Sequence, residues 1–151
     1  MAQRETGRDS GRLKIFLYFI GKPKDAHANA LAEDFLGRAA RYCHAEMREI
    51  RPDRADLWAK HPTARKIFLD PSGQPLDSRA FTALISSAEM EGRDLLFLIG
   101  GHDGLPPGWT RRAEFLLSLS RMTFPHELAR VMLAEQIYRA FATLRGHPYP
   151  R

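Results

Sequence analysis

Apolar residues along this chain gather in short dense runs, and between them they recur at helical spacing. Leu13–Ile20 is a β-branched and aromatic run closed by Gly21, which predicts a first strand, and its near-continuous apolarity suits a strand covered on both faces. From Ala26 to about Tyr42, Ala30, Leu31, Phe35, Leu36 and Ala39 repeat at helical spacing. Residues 45–50 alternate weakly and predict a second strand. Arg51–Arg65 is polar, is broken by Pro52 and Pro62, and reads as a loop holding a turn of helix. Residues 66–69 form a short third strand, closed by a turn at Asp70-Pro71-Ser72-Gly73. Asp77 or Ser78 caps a helix running to about Met90. Residues 94–99 form the most buried strand, 108–113 a short helix and 115–119 a last strand. Pro125–Leu144 is a long helix with a broad apolar stripe, which calls for contact on more than one side. Strands alternating with helices define an α/β fold with a mostly parallel sheet.

Composition narrows this picture. With 151 residues, 44% hydrophobic and 27% charged, the chain suits one compact domain. Residues 1–12 read as a flexible extension before a single domain over 13–151; they lack the apolar core of a signal peptide. No apolar stretch is long enough to span a bilayer. The single cysteine, Cys43, fits a reducing cytoplasm and reads as a packed thiol. The six histidines show neither HExxH spacing nor Cys/His pairing, so no metal site is expected. A net charge of +5 favours a polyanionic partner such as nucleic acid.

Three blocks near the C-terminus carry the candidate chemistry. Leu98-Ile-Gly-Gly-His-Asp-Gly104 ends a strand in glycines, where backbone can approach a ligand without an intervening Cβ. Its spacing is that of neither a dinucleotide nor a phosphate loop, and a tight turn accounts for it equally well. Ser118-Leu-Ser-Arg-Met-Thr-Phe-Pro125 offers small hydroxyls and main-chain groups to an adenine edge, or is simply a loop that starts a helix. The terminal Gly146-His-Pro-Tyr-Pro-Arg151 places an imidazole and a phenol around a proline, either as a base and a stacking ring or as a docked tail. On the long helix, Arg130 and Arg139 are read together, as phosphate contacts or as a salt-bridged face.

Together these blocks resemble one family. Leu98–Leu105, Ser118–His126, then Leu128, Arg130, Glu135, Gln136, Tyr138, Arg139 and Ala140, and finally Gly146–Tyr149 are similar in order and spacing to the ribosomal large-subunit pseudouridine N3-methyltransferases. These are the smallest branch of the SPOUT, or α/β-knot, methyltransferases. The resemblance implies a homodimer whose C-terminal chain threads a trefoil knot and binds S-adenosylmethionine there, largely through main chain. It implies methylation of N3 of a pseudouridine in large-subunit rRNA, on the assembled ribosome in the cytoplasm. Carried over by motif, Leu69, Gly100, Gly101, Ser120, Arg121, Met122, Thr123, Phe124 and Pro125 hold the cofactor. His147 and Tyr149 act near the methyl group, and Arg130, Arg139 and Arg151 contact RNA. Pro150 stands where the family tail usually carries a second histidine. That departure keeps open a non-catalytic RNA- or ribosome-binding relative, beside an enzyme acting on another RNA.

Overall fold

The structure, a computed structural model, describes residues 12–149. Five strands, β1 (Lys14–Ile20), β2 (His44–Ile50), β3 (Arg65–Pro75), β4 (Leu95–Ile99) and β5 (Phe115–Ser118), form one sheet. All neighbours run parallel, in the order β2-β1-β4-β3-β5. The helices are α1 (Ala26–Ala39), α2 (Leu57–Lys60), α3 (Ser78–Glu91), α4 (Trp109–Arg112) and α5 (His126–Leu144). The cap expected at Asp77 forms, and Asp25, which was not singled out, caps α1 in the same way. Asp25 accepts the amides of His27 and Ala28, and Asp77 that of Ala80.

Dense apolar runs become central strands because both sheet faces are covered. Every residue of β4 is buried. Ile15, Leu17, Phe19, Ile67, Phe97, Ile99 and Leu117 pack on one face beneath α1, α3 and α5. Tyr18, Phe68, Leu96 and Leu98 pack on the other, beneath Leu57, Ala64, Trp58 and Trp109. The long helices therefore lie on one side only, and α2 and α4, four residues each, cover the reverse.

Three sequence expectations change. First, β3 does not stop at Leu69 but runs to Pro75, with Leu69 and Gln74 both opposite Leu117 of β5. Asp70–Gly73 is thus a bulge within the strand, pinned by the Ser72 amide on the Asp70 carboxylate at 2.9 Å. A Cβ on Gly73 would stand 2.6 Å from the Leu116 carbonyl carbon, so the bulge lies directly on β5. Second, the wide apolar stripe of α5 finds its expected contacts on more than one side, but from two helices, α1 and α3, of the same chain. Third, Arg12, placed in the extension, donates to the carbonyls of Ala40 and Cys43 at 2.7 and 3.0 Å. Residues 1–11, the rest of that extension, lie outside the described residues, as do Pro150 and Arg151. Cys43 is a packed thiol, and burial pushes it up to about 12.

Candidate active site

At the C-terminal ends of β3, β4 and β5 lies a cavity of about 350 Å³. Open α/β sheets bind ligands at this end, and the volume falls in the range of small-molecule sites. Leu69, Ile99, Leu117, Leu119 and Phe124 give apolar walls. Gly100, Gly101, Ser120, Arg121, Met122 and Thr123 complete the lining that the motifs had singled out.

The glycine turn is there for steric reasons. The Gly104 amide donates to the Gly101 carbonyl at 2.9 Å, folding the chain back on itself. A Cβ on Gly100 would meet the Gly104 carbonyl carbon at 2.6 Å, and one on Gly101 would meet the Ile20 carbonyl oxygen at 2.8 Å. Any larger residue pushes this rim away from β1 or from its own return segment.

The opposite wall is held by hydroxyls. Ser118 donates to the Ser120 carbonyl, and the Ser120 hydroxyl accepts the Met122 amide, both at 2.9 Å. Among the described residues, the peptide groups of 121–124 make no backbone-to-backbone hydrogen bond. Backbone groups seek partners, so apart from the Met122 amide, which Ser120 takes, this wall offers main-chain donors and acceptors to a ligand. Apolar sides, a main-chain rim and a main-chain wall fit an adenosine-bearing ligand better than a phosphate, since no cluster of cations or glycine-rich phosphate cradle lines the cavity.

Not every expected residue stands here. Pro125 is outside the lining; it is exposed and caps α5, whose Ala129 amide bonds its carbonyl at 2.9 Å. Asp70, Pro71 and Ala129 do line the cavity and were not anticipated, and His102, Leu105 and His126, which belong to the motif blocks but were not assigned to the cofactor, line it too. The Asp70-Pro71 turn was legible, but the strand continuing past it, which brings it to the cavity, was not.

The tail lies elsewhere. The His147 amide caps α5 on the Ala142 carbonyl at 2.9 Å, and His147 Nδ1 accepts the Tyr149 amide at 3.1 Å. The Tyr149 hydroxyl donates to Glu135, and its ring sits 4.8 Å from that of Tyr138. Burial and the Glu135 bond push the Tyr149 phenol up, keeping it protonated. Glu135 is six residues beyond Ala129, about 9 Å along the helix. Neither His147 nor Tyr149 lines the cavity of its own chain.

The arginines separate as well. Nine residues apart, Arg130 and Arg139 lie two and a half turns from each other at about 3.6 residues per turn, hence on opposite sides of α5. Arg139 pairs with Glu135 at 2.7 Å on a half-buried surface. Arg130 is fully buried, so in the single chain it offers nothing to a phosphate, contrary to the expectation for it. Arg151 lies outside the described residues. Among the described residues, no group of three or more His, Cys, Asp or Glu is placed to hold a metal ion, and no helix is long and apolar enough to cross a membrane.

A parallel sheet ending in a backbone-lined cavity, closed by a long C-terminal helix, defines the class: the chain belongs to the SPOUT methyltransferases. The model of that family, described as "Predicted SPOUT methyltransferase", matches residues 13–150. Within the class, the chain is 76% identical to the ribosomal RNA large subunit methyltransferase H of Solibacter usitatus, over 92% of this chain and all of that protein. It is 38% identical to the protein of that name from Rhizobium rhizogenes, over 92% of this chain and 99% of that one. Solved structures share the fold. A probable methyltransferase from Bordetella pertussis aligns with a TM-score of 0.59 at 10% identity, covering 90% of this chain and 98% of that one. The SpoU methyltransferase AviRb from Streptomyces viridochromogenes, solved with AdoMet, aligns at 0.51 and 13% identity, covering 88% and 62%.

Proposed function

We propose that this protein transfers a methyl group from S-adenosylmethionine to N3 of a pseudouridine in large-subunit rRNA, acting in the cytoplasm on the assembled ribosome. The observation that carries the reading is the main-chain cavity at the ends of β3, β4 and β5, in a chain 76% identical to a large-subunit rRNA methyltransferase. Leu69, Gly100, Gly101 and residues 120–124 would hold the cofactor. When bound, it supplies an electrophilic methyl group. The chain's own part is to hold the target nitrogen in line and to favour loss of its proton. His126 and His102, on the cavity wall, are placed to assist an acid–base step there.

The reading includes the family's knot. It is supported by the chain's membership of that family. It also includes a homodimer. Leu128 and Met132, one turn apart on α5, remain 48% and 43% exposed, as does Leu31 of α1 at 47%, an apolar face that a second copy would cover. A dimer would also bring the tail of one copy towards the cavity of the other, giving His147 and Tyr149 the catalytic place they lack within one chain. Labelled S-adenosylmethionine and ribosomes from a strain lacking this modification test the proposal: label is expected in large-subunit rRNA at one pseudouridine. Label absent from rRNA would refute it.

A further inference from the structure

The first turns of α5 carry a guanidinium that water does not reach. Arg130 is 0% exposed, and its guanidinium carbon lies 3.5 Å from the centroid of the Phe19 ring. Nη1 donates to the Asn29 side-chain oxygen. The Asn29 amide nitrogen donates in turn to Glu127 and to the Asp25 carbonyl, each at 2.8 Å. Glu127 accepts the backbone amides of Lys24 and Asp25 at 3.1 and 3.0 Å. One carboxylate, one amide and one guanidinium thus join three elements: the end of β1 and the first turns of α1 and α5.

This arrangement is costly. Arg130 Nε and Nη2 are buried with no partner. Burying a cation without full pairing is unfavourable, and an apolar residue of similar volume commonly serves stability as well or better. The cost falls directly behind the cavity. Ala129, the residue before Arg130, lines it, and Phe19, beneath the guanidinium, is in register with Ile99, which lines it too.

We propose that Arg130 is a positioning residue for the cofactor: with Asn29 and Glu127 it fixes the start of α5 against β1 and so sets the wall formed by 120–124. The inference rests on the reading that the cavity takes S-adenosylmethionine. The residue acts through packing and hydrogen bonds and touches neither cofactor nor RNA.

Calorimetry with S-adenosylmethionine, thermal melting and turnover on ribosomes test it in the full-length protein with R130M, R130K, E127Q and the R130M/E127Q double variant. Expected for R130M is a melting temperature equal to or above that of the wild type, with cofactor affinity weakened about tenfold or more. R130K keeps the charge but loses the planar fork, and recovers part of that affinity. In both, KM for the cofactor rises while kcat at saturation stays within about threefold, the signature of lost binding rather than lost chemistry. The double variant is no weaker than its weaker parent, because the two residues act through Asn29. Cofactor affinity within about twofold of wild type in R130M and R130K overturns the inference, as does strict additivity in the double variant. So does an R130M protein that fails to fold or melts lower, which would make Arg130 a purely structural group. Absence of cofactor binding by the wild type would sink the methyltransferase reading itself, a distinguishable outcome.

Discussion

The two ends of α5 are built differently. At its N-terminal end the cavity is shaped by exclusion: Gly100 and Gly101 leave no room for a Cβ, and the peptide groups of 121–124 make no backbone-to-backbone bond among the described residues. At its C-terminal end the tail is held by side chains, with Tyr149 and Arg139 meeting on Glu135 and the Tyr149 ring tilted against that of Tyr138. The lesson concerns robustness. A site made of backbone is broken by adding a single carbon, whereas a tail held by several side-chain contacts weakens by steps.

The largest effect should therefore come from the smallest substitution. Gly101→Ala places a methyl 2.8 Å from the Ile20 carbonyl oxygen, a backbone atom that cannot rotate aside. Overpacking of this kind costs about 1–3 kcal/mol, so cofactor affinity measured by calorimetry should fall about tenfold to a hundredfold. Affinity unchanged by that methyl would show that the rim moves freely, and would erase the contrast between the two ends. A charge on the exposed face of α5 comes next. The double variant Leu128→Glu, Met132→Glu should shift light scattering from twice the 17.2 kDa chain mass to the chain mass at micromolar protein. A wild type that scatters as a monomer would remove the route by which a tail could reach a cavity. The tail itself should respond more gently. Tyr149→Phe keeps the ring on Tyr138 and loses one bond to a carboxylate, so turnover should drop about tenfold, with cofactor affinity kept within about twofold. If affinity falls instead of turnover, the tail belongs to the cofactor cavity after all.

Much of the fold was legible because its signals are local. Asp77 announces a helix start, and the apolar run within 94–99 announces a central strand. The order of the C-terminal blocks pointed to the cavity lining, since each block alone is also an ordinary turn or helix start and only their sequence and spacing together resemble the family. What was hidden depends on distant partners. The continuation of β3 through Asp70–Gly73 depends on β5, more than forty residues away. The burial of Arg130 depends on Phe19 and Asn29, which no pattern on α5 itself reveals. The separation of the tail from its own cavity depends on Glu135, whose spacing to Tyr149 says nothing of direction.

Acidity sharpens the same contrast with the smallest effect. Backbone amides of Asp25 and Lys24, with Asn29 and Arg130, hold the Glu127 carboxyl below its ordinary 4.5. A carboxylate with a depressed folded value stabilises the native state above its unfolded value, and that contribution fades as pH falls through the folded one. Glu114 behaves alike. Burial pushes it up, but the Lys66 amide and Arg93 outweigh that and hold it low. The share of these two carboxylates in the melting temperature should thus be flat above about pH 5 and decline below about pH 4.5, where unfolded chains take up protons first, while His61, held below its ordinary 6.5 chiefly by burial, adds its own decline below that value. Glu127→Gln should flatten part of that decline and leave the remainder, due to Glu114 and others, in place. Because Glu127 ties α1 to the start of α5, cofactor affinity should weaken over the same acid range in the wild type and lose that pH dependence in the variant. An identical acid profile in both proteins would mean that the cavity end of α5 is held by packing alone.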